Sequence, residues 1–473
     1  MASINIREIV LEILISIDKG EEYSHILMKN VLDKYDYLDQ KDKAFISRVA
    51  KGTLERRITL DHYIDSISST PVRKMKPLIR NLIRMSAYQI LYMDRIPDSA
   101  ACNEAVKLAG KRGFRSLGGF VNGVLRNLSR NKSSLSLPDK DSDPVKYLAV
   151  TYSCSEYIVG SLIKDYGMEA TEKMLKASLD DSRLYVRIRE DIEEARKRDI
   201  LTSWIEHGIE YEQSDLLPYA YVIRNAEGMQ SMAGFEEGEV YAQDISSMLV
   251  AEVADPEYHH QVIDMCAAPG GKTLHMASKI LKKIREVSDD SHSGRDVILK
   301  AGHISAGDIT EAKVDLIRDN VSRMGTDIVT AVVRDACVYD DTLKESADIV
   351  IADVPCSGFG VIGRKPDIKF NHDAGTDEEL AALQRRILDN AVKYLRKDGI
   401  LIYSTCTVRK AENDSNVIYL ESEHGLSQED LRDCLPEKMI YREGSVWNED
   451  MPGCLQLMIS EETDGFYIAR LRK

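Results

Sequence analysis

Val262-Ile263-Asp264-Met265-Cys266-Ala267-Ala268-Pro269-Gly270-Gly271-Lys272-Thr273 is an apolar strand running into a turn of small residues and then into a helical pattern over 272–284. Glycines at a strand-to-helix turn let the backbone approach a ligand, and the open amides of the helix N-terminus favour negative groups. The alternation continues downstream: strand 302–308 (GHISAGD), helix 311–324, strand 327–335 (DIVTAVVRD), strand 347–355 (ADIVIADVP), helix 377–396, strand 399–406 (GILIYSTC) and a closing DGFYIARLR. Apolar strands separated by helices of roughly 12 residues predict a parallel, doubly wound α/β sheet that binds ligands at the carboxyl ends of its strands. The polar stretch 285–297, REVSDDSHSGRDV, is expected to be a mobile insertion.

Two ligands compete for the glycine turn. GGKT looks like the tail of an NTPase phosphate loop, but that motif needs Gly where Cys266 stands. S-adenosylmethionine carries an adenosine and a charged amino acid but no phosphates. It would want a carboxylate after the second strand for its ribose and a polar group after the third for adenine. Asp308 and Asp335 stand there. Either alone could simply cap a following helix; together with Asp264 and the glycine turn they favour the cofactor.

Asp353, Pro355 and Cys356 lie just past one strand and Cys406 just past the next, which places both thiols on the ligand edge. Cys154, Cys337, Cys434 and Cys454 read as small buried hydrophobes. An ordinary thiol titrates near ~8.5, so a nucleophilic Cys356 or Cys406 would need a helix end or a cation such as Lys272. Thiol, carboxylate and methyl donor together suit methylation of cytosine at carbon 5. Thiolate attack on carbon 6 makes carbon 5 enamine-like, and the base must be single-stranded or flipped out to be reached.

The remaining sequence reads as two further modules. Residues 4–130 are helical throughout, with Ile6, Ile9, Val10, Ile13, Leu14 and Ile17 on one face, and Asp98 or Ser99 poised to cap AACNEAVKLAGKRG. Residues 131–144 form a polar linker. From about 145 to 240 strands and helices mix, including RLYVRIR, where Leu184, Val186 and Ile188 alternate. The expected organisation is an all-α domain over 1–135, a small α+β subdomain over 145–234 and a Rossmann-like domain over 235–473.

With 473 residues, 43% hydrophobic and 30% charged, the chain has ample core for two or three domains and is not disordered. No apolar run approaches the roughly 18 residues that span a bilayer, and the N-terminus lacks a secretory leader. The expectation is a cytoplasmic protein with no membrane partner. Eight cysteines without zinc spacing predict neither a disulfide framework nor a metal site. The net charge of −15 argues against a polyanionic partner, yet it is uneven. Residues 1–144 carry +6 and the remainder −21, and 71–132 alone hold 13 basic against 3 acidic side chains. Arg73, Lys74, Lys76, Arg80, Arg84, Lys107, Lys111, Arg112, Arg115 and Arg126 are the candidates to hold the phosphates of a nucleic acid, which the resemblance below implies is RNA, so binding should be salt-sensitive chiefly through the first module.

Residues 235–473 resemble the RNA 5-methylcytosine methyltransferases of the NOL1/NOP2/Sun family through FEEGEVYAQDISSM, DMCAAPGGKT, SAGDITEAKVDLIRDNVSRMG, DVPCSGFGVIGRKPDIK, YSTCT with Glu412-Asn413, and DGFYIARL. The N-terminal helices, notably RMSAYQILYMDRIPDSAACNEAVKLA and GFVNGVLRNL, resemble the NusB RNA-binding domain. The resemblance implies Cys406 as nucleophile, Cys356 as the thiol that helps release product, and Asp353 as a cytosine contact. It implies S-adenosylmethionine on Cys266, Ala267, Ala268, Pro269, Gly270, Gly271, Lys272, Asp308, Asp335 and, in part, Asp353. The implied substrate is a cytosine of 16S ribosomal RNA; a monomer is expected. The same chemistry on tRNA or 23S rRNA, or a non-catalytic role in ribosome assembly, are the alternatives. Thr407 and Phe370 stand where the family usually has Ser and Trp. Gln243 and Asp244 are read as structural.

Overall fold

The computed structural model describes residues 5–20, 23–180, 183–225, 228–290 and 301–473. Of the expected insertion, residues 285–290 continue a helix, and 291–297 lie outside the described residues. Two compact units emerge: residues 1–180 with 362–373, and residues 181–361 with 374–473.

The first unit is helical: α1 (Ile6–Asp18), α2 (Ser24–Lys34), α3 (Gln40–Glu55), α4 (Arg57–Ile67), α5 (Pro77–Tyr92), α6 (Asp98–Lys111), α7 (Gly118–Arg130), α8 (Pro144–Thr151) and α9 (Glu156–Ala177). Their apolar stripes meet in one core, to which α1 contributes Ile9, Val10, Ile13 and Leu14. Asp98 is not a cap: α6 begins on it after Pro97, and its carboxylate instead accepts from Ser129 and Lys132. Arg84 corrects the RNA-binding set. It is 4% exposed, forked onto Asp61 at 2.7 and 2.6 Å, and 3.5 Å from Asp18, so it holds the helices together.

Residues 362–373 fall in chain order within the α/β domain but pack in this unit. Asp367 accepts from the backbone N and Oγ of Ser24 (2.9 and 2.6 Å), satisfying the start of α2, which has no side-chain cap of its own. The Phe370 ring lies 4.8 Å from the Arg57 guanidinium, which is what this aromatic position does here. Lys369 is fully buried beside Cys154, and burial pushes its ammonium down to about 8.

The second unit holds two sheets. The smaller comprises β1 (Leu184–Ile188), β2 (Tyr211–Gln213), β3 (Ala220–Ile223) and β4 (Val240–Ala242) in the order β2-β3-β1-β4. The alternation expected along β1 is absent: Tyr185 and Arg187 are buried like Val186 and Ile188, because both faces are covered. One face packs on α10 (Glu194–Glu206) around Trp204, the other on α11 (Ile245–Ala254). Arg187 survives burial by donating to Gln243 and lying over the Tyr241 ring.

In the larger sheet β5 (Gln261–Asp264), β6 (His303–Asp308), β7 (Val329–Val333), β8 (Ala347–Asp353) and β9 (Leu395–Thr405) run parallel in the order β9-β8-β5-β6-β7. The order reverses beside β5, the usual ligand crevice. The expected parallel sheet is extended by antiparallel strands β10 (Ser427–Gln428), β11 (Ser445–Trp447), β12 (Cys454–Leu457) and β13 (Phe466–Arg472), making the sheet mixed. The helices α12 (Gly271–Asp290), α13 (Glu311–Met324), α14 (Ala374–Tyr394), α15 (Asp414–His424) and α16 (Glu437–Ile440) complete the unit. Trp204 is fully buried, with its indole N–H on the Ala233 carbonyl. Trp204→Ala should cost ~3–5 kcal/mol and lower the thermal unfolding midpoint, measured by circular dichroism.

Candidate active site

The ends of β5, β6, β8 and β9 bring the sequence-derived residues onto one edge. After β5, Gly270 adopts φ +109°, a conformation closed to most side chains, and α12 starts at Gly271. Asp308, 5% exposed, accepts from the backbone N–H of Ala268 (3.0 Å) and of Ile309 (2.8 Å), and Lys313 approaches it at 3.1 Å. It does not cap the following helix, because Thr310 does. Asp335 accepts from Cys337 N in a local turn. Asn320 donates to the Pro269 carbonyl, tying α13 to the small-residue turn.

Asp353 is the hinge between this turn and the cysteines. Its Oδ2 accepts from Lys272 Nζ at 2.8 Å and its Oδ1 from Ser404 Oγ at 2.7 Å. Burial works against the charge on Lys272, but Asp353 outweighs it and holds the ammonium above its ordinary range. Beyond the strands, Cys356 Sγ and Cys406 Sγ lie 3.4 Å apart. The hydrogen bond to Cys406, with burial, pushes the Cys356 thiol well above the ordinary range, so Cys356 carries a proton at neutral pH. Cys266 differs: burial first, then the charges of Asp264, Asp308 and Asp353, push its thiol up, which disqualifies it as a nucleophile.

Sequence reasoning gave no role to the residues behind the thiols, although Thr407 and Glu412 stood in the motifs it quoted. Ser357 and Thr407 each follow a cysteine, and their hydroxyls hydrogen-bond at 2.7 Å. Gly360 N donates to the Cys406 carbonyl at 3.0 Å, and Gly465 N donates to the Gly360 carbonyl at 2.9 Å. A Cβ on Gly360 would meet the Gly465 oxygen at 1.8 Å, so only glycine permits this closure. Its signal was present in CSGFG, but spacing alone could not say what it approaches. Asp244 caps α11 and Gln243 supports Arg187, as the structural reading had them.

Glu190, Glu252 and His275 also gather their ligand atoms within 4.8 Å. Lys279 already stands 2.8 Å from Glu252 and 3.5 Å from Glu190, supplying the positive charge itself. Of the basic residues, Arg73, Lys74, Lys76, Lys107, Lys111, Arg115 and Arg126 are exposed and Arg112 is half-buried. Lys76 over the Phe114 ring sets the turn with Arg73 and Lys74 beside the turn with Arg115. Lys111 and Arg112 pair with Glu8 and Glu12, and Arg80 with Asp18.

A parallel sheet with this strand order, a small-residue turn after its first strand and acidic residues at neighbouring strand ends define a methyltransferase domain, here joined in one chain to a helical domain. The family model "16S rRNA methyltransferase RsmB/F" matches residues 251–472 and the NusB family residues 4–130. A Bacillus subtilis protein named probable ribosomal RNA small subunit methyltransferase B is 35% identical over 483 residues, all of both chains. The chain belongs to the RsmB/F family of methyltransferases. The solved structure titled PH0851 shares its fold, with a TM-score of 0.79 at 22% identity over 100% of this chain and 99% of that one. NSun6 from Pyrococcus horikoshii, solved with the S-adenosylmethionine analogue SFG, matches at a TM-score of 0.53 and 20% identity, covering 66% of this chain and 97% of its own. Among the described residues no helix is long and apolar enough to cross a membrane.

Asp264 offers a test of the turn. It is fully buried, one oxygen accepts from Thr273 and the other has no hydrogen-bond partner, and burial raises its carboxyl from 3.8 to about 6. A raised acid is protonated in the fold before it is in the unfolded chain, so its destabilising contribution grows from about pH 4 to pH 6 and then levels. The stability of Asp264→Asn relative to the unaltered protein should therefore increase across that window, measured by denaturant unfolding at each pH.

Proposed function

We propose that this enzyme methylates carbon 5 of a cytosine in 16S ribosomal RNA through a covalent adduct on Cys406. The observation that carries the reading is the pair of thiols 3.4 Å apart at the ends of two adjacent parallel strands, beside a carboxylate held by a half-buried lysine. The small-subunit substrate is carried over from the name of the Bacillus relative.

The donor set suits S-adenosylmethionine. A glycine turn admits its amino acid part, and the carboxylates of Asp308 and Asp335 offer acceptors to hydroxyl and amino groups. Cys266, Ala267, Ala268, Pro269, Gly270, Gly271, Lys272, Asp308, Asp335 and part of Asp353 would hold it. When bound, it supplies an electrophilic methyl group. Cys406 as thiolate, supported by the charge of Lys272, adds to carbon 6 of the base, and the electron pair this places on carbon 5 forms the bond to the methyl group. Each Asp353 oxygen accepts one hydrogen bond within the protein and keeps a lone pair for the exocyclic amine of cytosine.

Once Cys406 sulfur is bonded to carbon, it no longer stands as a thiolate against the Cys356 thiol 3.4 Å away. Cys356 then releases its proton to solvent and accepts the proton on carbon 5. The electrons of that C–H bond form the carbon 5–carbon 6 double bond as the carbon–sulfur bond breaks. Cys406 returns as thiolate, and one proton is released per methyl transferred.

The functional modules we assign are an RNA-binding region within 1–135, the subdomain 145–234 and a catalytic region within 235–473. Soluble expression in the cytoplasm and a monomeric state complete the reading. Cys406→Ala should abolish methyl transfer to rRNA, whereas Cys356→Ala should accumulate an enzyme–RNA adduct that resists denaturing electrophoresis. Full activity of the Cys406 variant would remove the proposed nucleophile, and bisulfite sequencing of rRNA from a deletion strain tests the substrate. In the full chain, Arg73→Glu combined with Lys74→Glu and Arg115→Glu should weaken RNA binding. The slope of log K against log salt should become shallower by roughly 0.7–0.9 for each phosphate that is no longer neutralised, read by filter binding.

A further inference from the structure

Behind the two thiols lies a buried polar cluster with no part in the steps above. Glu412 is 4% exposed. Its Oε2 accepts from the backbone N–H of Ser357 at 2.9 Å and from Gln384 Nε2 at 2.9 Å, and its Oε1 from Thr407 Oγ1 at 3.5 Å. The Ser357 and Thr407 hydroxyls join at 2.7 Å. The residue after each cysteine is therefore tied both to the other and to one carboxylate. The cluster is anchored from below: the Glu412 carbonyl accepts from Tyr403 and Asn416, and Asn416 also donates to Gln384. Ser357, Thr407, Gln384, Asn416 and Tyr403 are all buried, so water does not compete for these bonds.

We propose that Glu412, with the hydroxyls of Ser357 and Thr407, is a latch that fixes the separation of Cys356 and Cys406, making these three positioning residues of the active site. Each cysteine is one covalent step from a latch residue, so loosening the hydroxyl pair lets the thiols part. The latch requires a hydroxyl at 407 and tolerates either Thr or Ser there. Its consequence for catalysis rests on the two-cysteine reading above; the geometry itself does not.

The test reads the thiols without RNA or methyl donor. Full-length protein is alkylated with iodoacetamide across a pH series, and modification of Cys356 is followed by mass spectrometry of its peptide. The charged or ionisable groups acting on Cys356 are Cys406, Glu412 and Tyr403, with Lys272 acting on Cys406. Thr407→Val keeps the shape and the charge of Glu412 but removes the hydroxyl. It should shift the Cys356 profile down by about one pH unit, roughly tenfold in thiolate at fixed pH. Thr407→Ser should restore the original profile. Glu412→Gln separates charge from position: a shift in that variant with none in Thr407→Val overturns the latch, as does an unmoved profile in both. Should Thr407→Val fail to fold, Ser357→Ala breaks the same hydroxyl pair and is read identically. If the profile moves but methyl transfer and adduct level do not, the latch stands and the role given to Cys356 in product release falls.

Discussion

Asp353 and Ser404 stand opposite each other in the parallel pairing of β8 and β9, joined by a 2.7 Å hydrogen bond, and the arrangement of the site follows from that register. Cys356 comes three residues after Asp353 and Cys406 two after Ser404. Chains that leave paired strands in register cannot diverge far in so few residues, so the thiols meet without a long loop to order. Lys272 then ties a third strand end to the same point through Asp353. A one-residue slip would send the side chains of β9 to the opposite face and break the Ser404–Asp353 bond. The carboxylate thus fixes geometry before it meets any substrate.

The parts of the fold legible in the sequence are those written in local patterns. Helix 311–324 is found over those residues, because Thr310 caps it and Gly325 ends it in the left-handed conformation. The parallel strands are continuous apolar runs, and both their order along the chain and the acidic or thiol residue at each end could be read directly. The antiparallel extension could not, since β10, β11 and β12 are two to four residues long and depend on pairing with distant partners. Strand β1 misled for a different reason. An alternating pattern presumes one wet face, and here Arg187 enters the covered face by finding Gln243 and Tyr241.

The site was legible to the extent that chemistry is carried by residue type. Carboxylates, thiols and a lysine announce themselves at strand ends, whereas Ser357, Gln384 and Glu412 acquire meaning only from partners 28 to 55 positions away. Residues 362–373 make the same point on a larger scale. Their sequence sits between the cysteine strand and α14, yet Asp367 completes the first turn of α2, 343 positions earlier. No local pattern encodes a contact of that span.

Charge is the property for which counting and structure diverge most. The basic excess over residues 71–132 reads as one RNA-facing surface, but the fold divides it. Asp18 draws Arg57 and Arg80 inward and shares Arg84 with Asp61, and its carboxyl is held below the usual range by these arginines although burial pulls the other way. Those arginines stabilise the helical core and have little charge left to offer a phosphate. Lys111 and Arg112 are partly neutralised by Glu8 and Glu12, whose pairing is exposed and correspondingly weak. What remains outward is Arg126, Lys107 beside Glu104, and the neighbourhood of Arg73, Lys74, Lys76 and Arg115, a smaller surface than the arithmetic suggested. A charge contributes to binding a polyanion only when it is both exposed and not already spent on a buried acid, and burial, unlike sequence, reports both.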